Sequence, residues 1–328
     1  MRKLVLTTFQ GLEEISAKEV EQRGFKLLQV FKPSLLLVEG DLEKALQLKT
    51  VDSASQLLHL GEAESLEVKA LRLLFRQVFK SCKGSLKSLR HIRVRAVTRG
   101  RGVDRRLLEL IASREAKRVA HVLTSPRSPN ILRVYLDTET NIVIIAQQLH
   151  KQPLHLRDYY VAKHPSPLNP IIAATIPYFL GNLPRAIYDP FCGSGTIPIE
   201  VLLQAPEVEA YASDIEPAYV KATLENAEQA GVALQVFAAD AAHPPIHRGI
   251  DLVAADPPRG RRLRRGSRVK YLEVLFKLST SLEAASLLVV TPYEEPALKI
   301  SEKYEYFLVK RLLTFQGGAR IALLHFKR

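Results

Sequence analysis

The spacing of apolar residues changes along the chain, and each spacing predicts a different set of strands and helices. Over residues 3–61, apolar runs that predict strands and segments with helically spaced apolar residues follow one another in the order β-α-β-β-α-β. That order is typical of a ferredoxin-like split unit. The predicted strands are 3–9, 25–31, 34–40 and 56–62, and the predicted helices are 11–24 and 41–49.

A second mixed α+β unit is predicted over residues 65–150. Its strand at 91–97 alternates apolar residues with Arg93 and Arg95, as expected of a sheet with one buried face. We therefore expect both arginines to point outward. The remaining predicted elements are helices at 65–80 and 104–123 and strands at 131–137 and 141–149.

From about residue 184 the pattern becomes a strict alternation of strand and helix, which predicts a doubly wound parallel sheet. The segment 310–326 then predicts a hairpin that turns on Gly317 and Gly318. An antiparallel hairpin closing a parallel sheet is the class I (Rossmann-like) methyltransferase arrangement, whereas a dinucleotide enzyme would continue with parallel strands. The predicted parallel strands are 186–190, 208–213, 233–238, 250–255 and 285–291.

These changes of pattern divide the chain into four predicted parts. They are a ferredoxin-like domain at 1–64, a second α+β domain at 65–150, a linker with a lead-in helix at 151–183, and an α/β domain at 184–328.

The balance of charges points to a polyanionic partner. The chain of 328 residues carries 47 Lys and Arg against 34 Asp and Glu, a net charge of +13. Residues 71–120 alone hold fifteen Lys and Arg and three acids, which is more concentrated than an ordinary solvated face requires.

Several classes of protein are disfavoured by the composition. Cys82 and Cys192 are too few and too distant for a metal cluster or a disulfide framework. No stretch reaches the ~18 apolar residues of a membrane span. We expect a cytoplasmic monomer without a metal and without a membrane partner. The absence of Trp and the single Met suit a thermophile.

Acidic residues follow three successive strands of the α/β domain. Asp189 precedes a turn containing Gly193 and Gly195, where glycines let a ligand approach backbone N–H groups. Asp189 suits the ammonium group of a methionine moiety but would repel a pyrophosphate. Asp214 is placed to accept from both ribose hydroxyls, and Asp240 from an adenine amine. This combination predicts S-adenosylmethionine as the cofactor rather than a dinucleotide.

The fourth strand ends in Asp256, Pro257 and Pro258. Asp256 and a carbonyl of the rigid Pro-Pro turn provide two acceptors for an exocyclic amine. Two fixed acceptors draw an aromatic amine toward tetrahedral geometry and free its lone pair for attack on a methyl group. A strand that simply terminates at proline is the alternative, and the three preceding acids make it less attractive.

The chain resembles the THUMP-domain RNA guanine-N2 methyltransferases, and among them the TrmN type that acts at position 6 of the tRNA acceptor stem. The resemblance covers nearly the whole length, with residues 65–150 similar to a diverged THUMP domain. The motifs that carry it are TTFQGLEEISAKEV (7–20), HPSPLNPIIAATI (164–176), DPFCGSGTIPIE (189–200) and FQGGARIALLHF (315–326).

The resemblance implies a role for each motif residue. It implies that the THUMP unit binds the acceptor stem and 3′ end of tRNA while the target guanosine is flipped out. The implied cofactor contacts are His164, Ser166, Asp189, Gly193, Gly195, Thr196, Asp214 and Asp240. The implied catalytic residues are Asp256, Pro257, Pro258 and Arg259. The expected RNA-binding residues are Arg93, Arg95, Arg99, Arg101, Arg261, Arg262, Arg264 and Arg265.

Arg259 departs from the family pattern, which has an aromatic residue or histidine after the two prolines. A guanidinium can also stack on a base. The departure leaves open another RNA target, such as position 10 of tRNA or a ribosomal guanosine, or an RNA-binding homologue with impaired catalysis. The same four letters occur in RNA uracil-C5 methyltransferases, but that chemistry needs a cysteine nucleophile and no cysteine follows Cys192.

Arginines crowd the loop after the two prolines, with six of them and Lys270 between residues 259 and 270. Because an RNA backbone must pass beside the methyl-transfer site, we expect this loop to neutralise phosphates. The same residues would act as a solubility device in a protein with no polyanionic partner.

Overall fold

The structure is a computed structural model that describes residues 2–246, 248–258 and 265–328. Within these residues it contains two sheets, one of eight strands and one of seven. None of the helices described is both long enough and apolar enough to cross a membrane.

The first sheet has the strand order β2-β3-β1-β4-β8-β7-β5-β6. Its strands are β1 (Arg2–Thr7), β2 (Lys26–Phe31), β3 (Leu35–Gly40), β4 (Ser53–Glu62), β5 (His91–Arg99), β6 (Leu123–Thr124), β7 (Ile131–Asp137) and β8 (Ile142–Gln148). Its helices are α1 (Glu13–Gln22), α2 (Leu42–Ala45), α3 (Val68–Ser81), α4 (Lys83–Lys87) and α5 (Arg105–Glu115).

The long strand β4 joins the two predicted N-terminal units into one sheet. Its first residues pair with β1, and its whole length from Ser55 to Glu62 pairs with β8. The sheet is therefore continuous across the predicted boundary between residues 64 and 65, and the division into two domains remains a prediction.

Two helices are shorter than the sequence pattern predicts. The expected helix at 41–49 is only the four-residue α2. The carboxylate of Glu19 accepts the backbone N–H groups of Lys49 and Thr50 at 2.7 and 2.8 Å, and these bonds hold both residues outside a helix. The expected helix at 104–123 gives way to a π-helical turn at Ala116–Ala120. His121 then adopts a left-handed conformation that turns the chain into β6.

The second sheet has the order β11-β10-β9-β12-β13-β15-β14, with β9 to β13 parallel and β15 antiparallel to both of its neighbours. This confirms the predicted class I methyltransferase fold. The strands are β9 (Ala186–Asp189), β10 (Glu209–Asp214), β11 (Gln235–Ala238), β12 (Leu252–Ala255), β13 (Ser286–Thr291), β14 (Phe307–Gln316) and β15 (Ala319–Lys327). The helices are α6 (Pro170–Ala174), α7 (Ile176–Leu180), α8 (Thr196–Leu202), α9 (Pro217–Ala230), α10 (Arg265–Ser281) and α11 (Glu294–Lys303).

The N-terminal unit packs against the α/β domain. Leu12 and Ile15 lie in the same buried core as residues of α6, α7 and α8. Gly11 has a φ of +91°, and a Cβ at this position would collide with the carbonyl oxygen of Leu313 on β14. The contact thus needs glycine for both its backbone angle and its close approach.

Candidate active site

Four acidic residues lie at the carboxyl edge of the second sheet. Asp189 and Asp214 are the last residues of β9 and β10, Asp256 follows β12 directly, and Asp240 lies two residues beyond β11. Because β9, β10, β11 and β12 are parallel, their carboxyl ends meet at one edge, which is where open α/β sheets bind ligands. The structure therefore brings the predicted cofactor acids and the predicted catalytic acid together.

Asp189 is a carboxyl group in an environment that disfavours its charge. Asp189 is 2% exposed, and its Oδ1 accepts the backbone N–H of Phe191 at 3.0 Å. Burial raises the pKa of the Asp189 carboxyl well above its usual value, and the nearby Asp214 and Asp256 raise that pKa further. A cationic ligand group placed here would relieve this unfavourable cluster of acids.

The glycine turn after β9 is held in shape by two polar side chains. Oδ2 of Asp214 accepts the Gly193 N–H at 3.0 Å, and the Thr223 hydroxyl donates to the Gly193 carbonyl at 2.9 Å. Gly195 has a φ of +80°, and a Cβ there would lie 2.8 Å from Cγ2 of Thr223. The turn is therefore preorganised by contacts with β10 and α9.

The lead-in segment before α6 lies over this turn. Asn226 of α9 donates to the carbonyls of Ala162 and Ser194 at 2.9 Å each, and the hydroxyls of Tyr160 and Ser194 are 3.0 Å apart. Tyr160 also accepts the backbone N–H of His164 at 3.2 Å. These contacts bring the predicted His164 to the cofactor turn.

His164 lies against Gly193, where an added Cβ would come within 3.5 Å of the imidazole ring. The ring of Tyr219 meets the His164 ring edge-on, with 4.4 Å between centroids. Ser166 is exposed, and its backbone N–H donates to Nδ1 of His164 at 3.2 Å.

Sequence reasoning missed Tyr160, Tyr219 and Asn226. Asn226 is fully buried on α9, and the hydrogen-bond partners that a buried amide needs are seen only in the structure.

The residues at this edge fit S-adenosylmethionine on three observations. The three neighbouring carboxylates suit a ligand with ammonium and sulfonium groups. The buried hydroxyl of Thr196 has no hydrogen-bond partner among the described residues and can serve a ligand. Ile215, directly after Asp214, is 64% exposed and offers an apolar surface to a flat ring.

Two further findings bear on the choice of ligand. Asp240 is exposed, its Oδ1 accepts the backbone N–H of Ala242 at 2.9 Å, and its Oδ2 lies 3.9 Å from Nδ1 of His243. In the described part of the chain, no group of three or more His, Cys, Asp or Glu residues is placed to hold a metal ion.

The predicted catalytic residues lie on the loop that follows β12. Asp256 is half-buried, Pro257 is buried and Pro258 is exposed. Lys270, on α10, is exposed. The predicted Arg259, Arg261, Arg262 and Arg264, and the side chain of Arg265, lie outside the described residues.

The four predicted RNA-binding arginines of β5 and of the loop after it differ in their surroundings. Arg95 and Arg101 are exposed, while Arg93 is half-buried. Arg99 donates to the Lys32 carbonyl at 2.7 Å and forms ion pairs of 3.2 and 3.3 Å with Asp137 and Glu139. Its charge is already balanced by these acids, so it is the least available of the four for phosphate.

The chain is similar to known methyltransferases in sequence and in fold. Residues 157–302 match a family model described as UPF0020, an RMKL-like methyltransferase domain. A tRNA (guanine(6)-N2)-methyltransferase of Archaeoglobus fulgidus is 25% identical over 307 residues, covering 81% of this chain and 76% of that protein. A ribosomal RNA large subunit methyltransferase K/L of Magnetococcus marinus is 25% identical over 63% of this chain, but the match spans only 30% of its length.

The crystal structure of TrmN from Thermus thermophilus superposes over the full length of both chains with a TM-score of 0.84 and 21% sequence identity. The superposition confirms the fold. The family match over residues 157–302 confirms two further predictions, that the protein is a methyltransferase and that S-adenosylmethionine is its methyl donor.

Proposed function

We propose that this methyltransferase modifies the exocyclic N2 of a guanosine in tRNA, at position 6 of the acceptor stem. The observation that carries the proposal is the placement of Asp256 and Pro257 directly after β12, at the edge where Asp189 and Asp214 gather. We infer that Asp256 and Pro257 offer two acceptors for an amine beside the acids that suit the methyl donor.

The chemistry follows from the difficulty of making a guanine amine nucleophilic. Its lone pair is delocalised into the ring, so the amine must be held before it reacts. The Asp256 carboxylate accepts one N–H and the Pro257 carbonyl accepts the other, and both favour a tetrahedral nitrogen. When bound, S-adenosylmethionine supplies an electrophilic methyl group. Asp256 is then placed to accept the proton that the nitrogen loses.

The first sheet is the proposed RNA-binding part. We infer that residues 65–150 act as a THUMP domain that binds the acceptor stem and 3′ end of tRNA, and that Arg95 and Arg101 contact phosphates. The concentration of positive charge in residues 71–120 supports this inference. The position of the modified guanosine is supported by relatives that are tRNA (guanine(6)-N2)-methyltransferases. We further infer that one chain binds one tRNA as a monomer.

A ribosomal RNA guanosine is the second candidate substrate, because the K/L relatives are named for that RNA. Uracil-C5 methylation is disfavoured by the structure as well as by the sequence. Cys192 is buried. Burial raises the pKa of its thiol well above the usual value, and the negative charge of the neighbouring Asp189 raises that pKa further. Such a thiol does not supply the thiolate nucleophile that this reaction needs.

The test uses two tRNA transcripts that differ only at position 6, one with guanosine and one with inosine, which lacks the N2 amine. Each is incubated with the protein and methyl-labelled S-adenosylmethionine, and the nucleosides are separated after digestion. We expect labelled N2-methylguanosine from the first transcript and no label in the second. Equal labelling of both would overturn the position, and label in a uridine derivative would overturn the target base.

A further inference from the structure

A cavity of about 480 Å³ opens at the amino edge of the second sheet, opposite the edge that carries the cofactor acids. Its walls include Leu252 and Ser286, the first residues of β12 and β13, and Lys327, the last residue of β15. Because β13 has six residues, it spans about 17–20 Å and separates the cavity from the carboxyl edge by that length. The cavity is therefore distinct from the cofactor and amine sites.

A buried imidazole lines this cavity. His325, on β15, is 5% exposed, and its Nδ1 has no hydrogen-bond partner among the described residues. Buried polar atoms are rarely left without a partner, because the hydrogen bonds that they lose to water are then not replaced. Burial, and then the charges of Lys327 and Lys310, lower the pKa of His325 to about 4, so the ring is neutral at pH 7. A neutral imidazole offers a ligand one donor and one acceptor.

Two lysines lie on the same face of the sheet as His325. Lys310 on β14 is directly opposite His325 in the antiparallel pairing, and Lys327 is two residues further along β15. Nζ of Lys310 donates to the carbonyls of Phe179 and Leu180 at 3.0 and 2.7 Å, which holds the ammonium beside the cavity and leaves one of its three N–H groups. These carbonyls are neutral, and in the described part of the chain the ion pairs of lysines with acids involve other lysines. This end of the cavity therefore keeps its positive charge.

The opposite end of the cavity carries an acid. Asp251 precedes β12, and its Oδ2 accepts the backbone N–H of Ala186 at 3.0 Å. The Ser286 N–H donates to the Asp251 carbonyl at 3.0 Å, and Ser286 is opposite Lys327 in the pairing of β13 with β15. Because β13 lies between the acid and the lysine, two strand spacings put their backbones about 10 Å apart. The cavity can therefore bind an anion at one end and hydroxyl groups at the other.

We propose that this cavity binds a small sugar phosphate. The phosphate accepts from Lys310, Lys327 and the His325 ring, and the sugar hydroxyl groups donate to the carboxylate at the other end. A phosphate dianion has several acceptor oxygens and is bound most strongly by charged donors. The volume of the cavity lies in the range of small-molecule sites, and Leu183 and Leu252 give it an apolar wall. Because the site is separate from the methyl-transfer edge, its ligand binds together with the cofactor.

The test is calorimetric titration of ribose 5-phosphate into the whole chain, with saturating S-adenosylhomocysteine in the cofactor site. Lys327→Met removes one cation, and His325→Gln replaces the ring with a neutral amide. Lys277→Met is the matched control, because Lys277 is an exposed lysine on α10, which packs on the other face of the sheet with Leu324 and Phe326. Inorganic phosphate and ribose are titrated separately as the two halves of the ligand.

We expect one ribose 5-phosphate to bind per chain, with an affinity about tenfold lower in Lys327→Met, since the lost contact is charge-assisted. His325→Gln should weaken binding severalfold, and Lys277→Met should match wild type. Asp251→Asn should strengthen the binding of inorganic phosphate, because it removes a negative charge, and should lower the preference for ribose 5-phosphate over inorganic phosphate. Affinity for S-adenosylhomocysteine should be the same in all of these proteins.

The site would be overturned by a wild-type protein that does not bind ribose 5-phosphate at millimolar concentrations, or by wild-type affinity in Lys327→Met. Binding that occurs only without S-adenosylhomocysteine would place the ligand in the cofactor site and would also overturn it. A loss of tRNA affinity in Lys327→Met, without sugar phosphate binding by wild type, would assign the lysine to the RNA interface instead. Because Lys327 is exposed, its variant remains informative even if His325→Gln fails to fold.

Discussion

Oδ2 of Asp214, at the end of β10, lies 3.0 Å from the backbone nitrogen of Gly193, on the turn that follows β9. Its Oδ1 accepts the backbone N–H of Glu216 at 3.0 Å. The acid that was predicted to bind ribose hydroxyls therefore also anchors the glycine turn. We propose that one side chain contributes both to the shape of the cofactor site and to its specificity.

This double role predicts a graded response to substitution. Asp214→Ala removes the anchor and the ribose acceptors together, and we expect it to weaken S-adenosylmethionine binding by more than tenfold. Asp240→Ala, at an exposed position that holds only a local turn, should weaken binding less. Calorimetric titration of both variants checks the order. An equal loss of affinity in the two would argue against the anchoring role.

Asp189 should reduce the stability of the ligand-free protein at neutral pH. Its pKa is raised in the folded state, so the folded protein binds this proton more tightly than the unfolded chain does. The contribution of Asp189 to stability therefore falls as the pH rises from the usual carboxyl pKa, which applies to the unfolded chain, through the raised pKa of the folded protein. Asp189→Asn should remove this pH-dependent contribution and stabilise the ligand-free protein at pH 7.

The same variant should bind S-adenosylmethionine more weakly, because the amide keeps the Phe191 contact but loses the negative charge. Urea unfolding from acid to neutral pH gives the stability difference between wild type and variant. A difference that does not change with pH would contradict the raised pKa of Asp189.

Gly195→Ala tests whether the cofactor turn needs glycine for packing as well as for its backbone angle. An added Cβ would meet Thr223 at 2.8 Å, in a residue whose φ is already +80°. Gly231→Ala is the matched control, since its φ is +68° and no described atom lies within 4 Å of the added one. We expect about 1 kcal/mol of destabilisation at Gly231 and clearly more at Gly195. Equal destabilisation would show that Thr223 yields without cost.

The salt dependence of tRNA binding should distinguish the arginines at and just after β5. Arg95→Ala and Arg101→Ala should each reduce the slope of log affinity against log salt by about 1, as expected for one lost phosphate contact. Arg99→Ala should change the slope less, because Asp137 and Glu139 already compensate its charge. Filter binding over a range of salt concentrations measures all three. The same slope change in Arg99→Ala would reverse this assignment.

The sequence predicted the features that depend on local pattern. The strand-helix alternation after residue 184 and the hairpin pattern at 310–326 were sufficient to predict a parallel sheet closed by an antiparallel hairpin, whereas the order of its strands came from the structure. Acids that end parallel strands necessarily meet at one edge, so the sequence alone was enough to group Asp189, Asp214 and Asp256.

Features that depend on contacts between distant residues were not predictable in this way. The pairing of β4 with β8 has no local signature, and it merges two units that look separate in the sequence. The shortening of α2 is due to Glu19, about thirty residues away along the chain. Likewise, nothing near Gly11 in the sequence indicates that it contacts the backbone of β14.

The most direct test of the account is the rate of methyl transfer by Asp256→Asn in a single turnover with S-adenosylmethionine and unmodified tRNA. The amide keeps the size of the side chain but replaces one acceptor oxygen with a donor. We predict a rate lowered by about 10²–10³, as for the loss of one group that stabilises a transition state, with cofactor and tRNA affinities close to wild type. A wild-type rate in this variant would contradict the proposal that Asp256 holds the reacting amine.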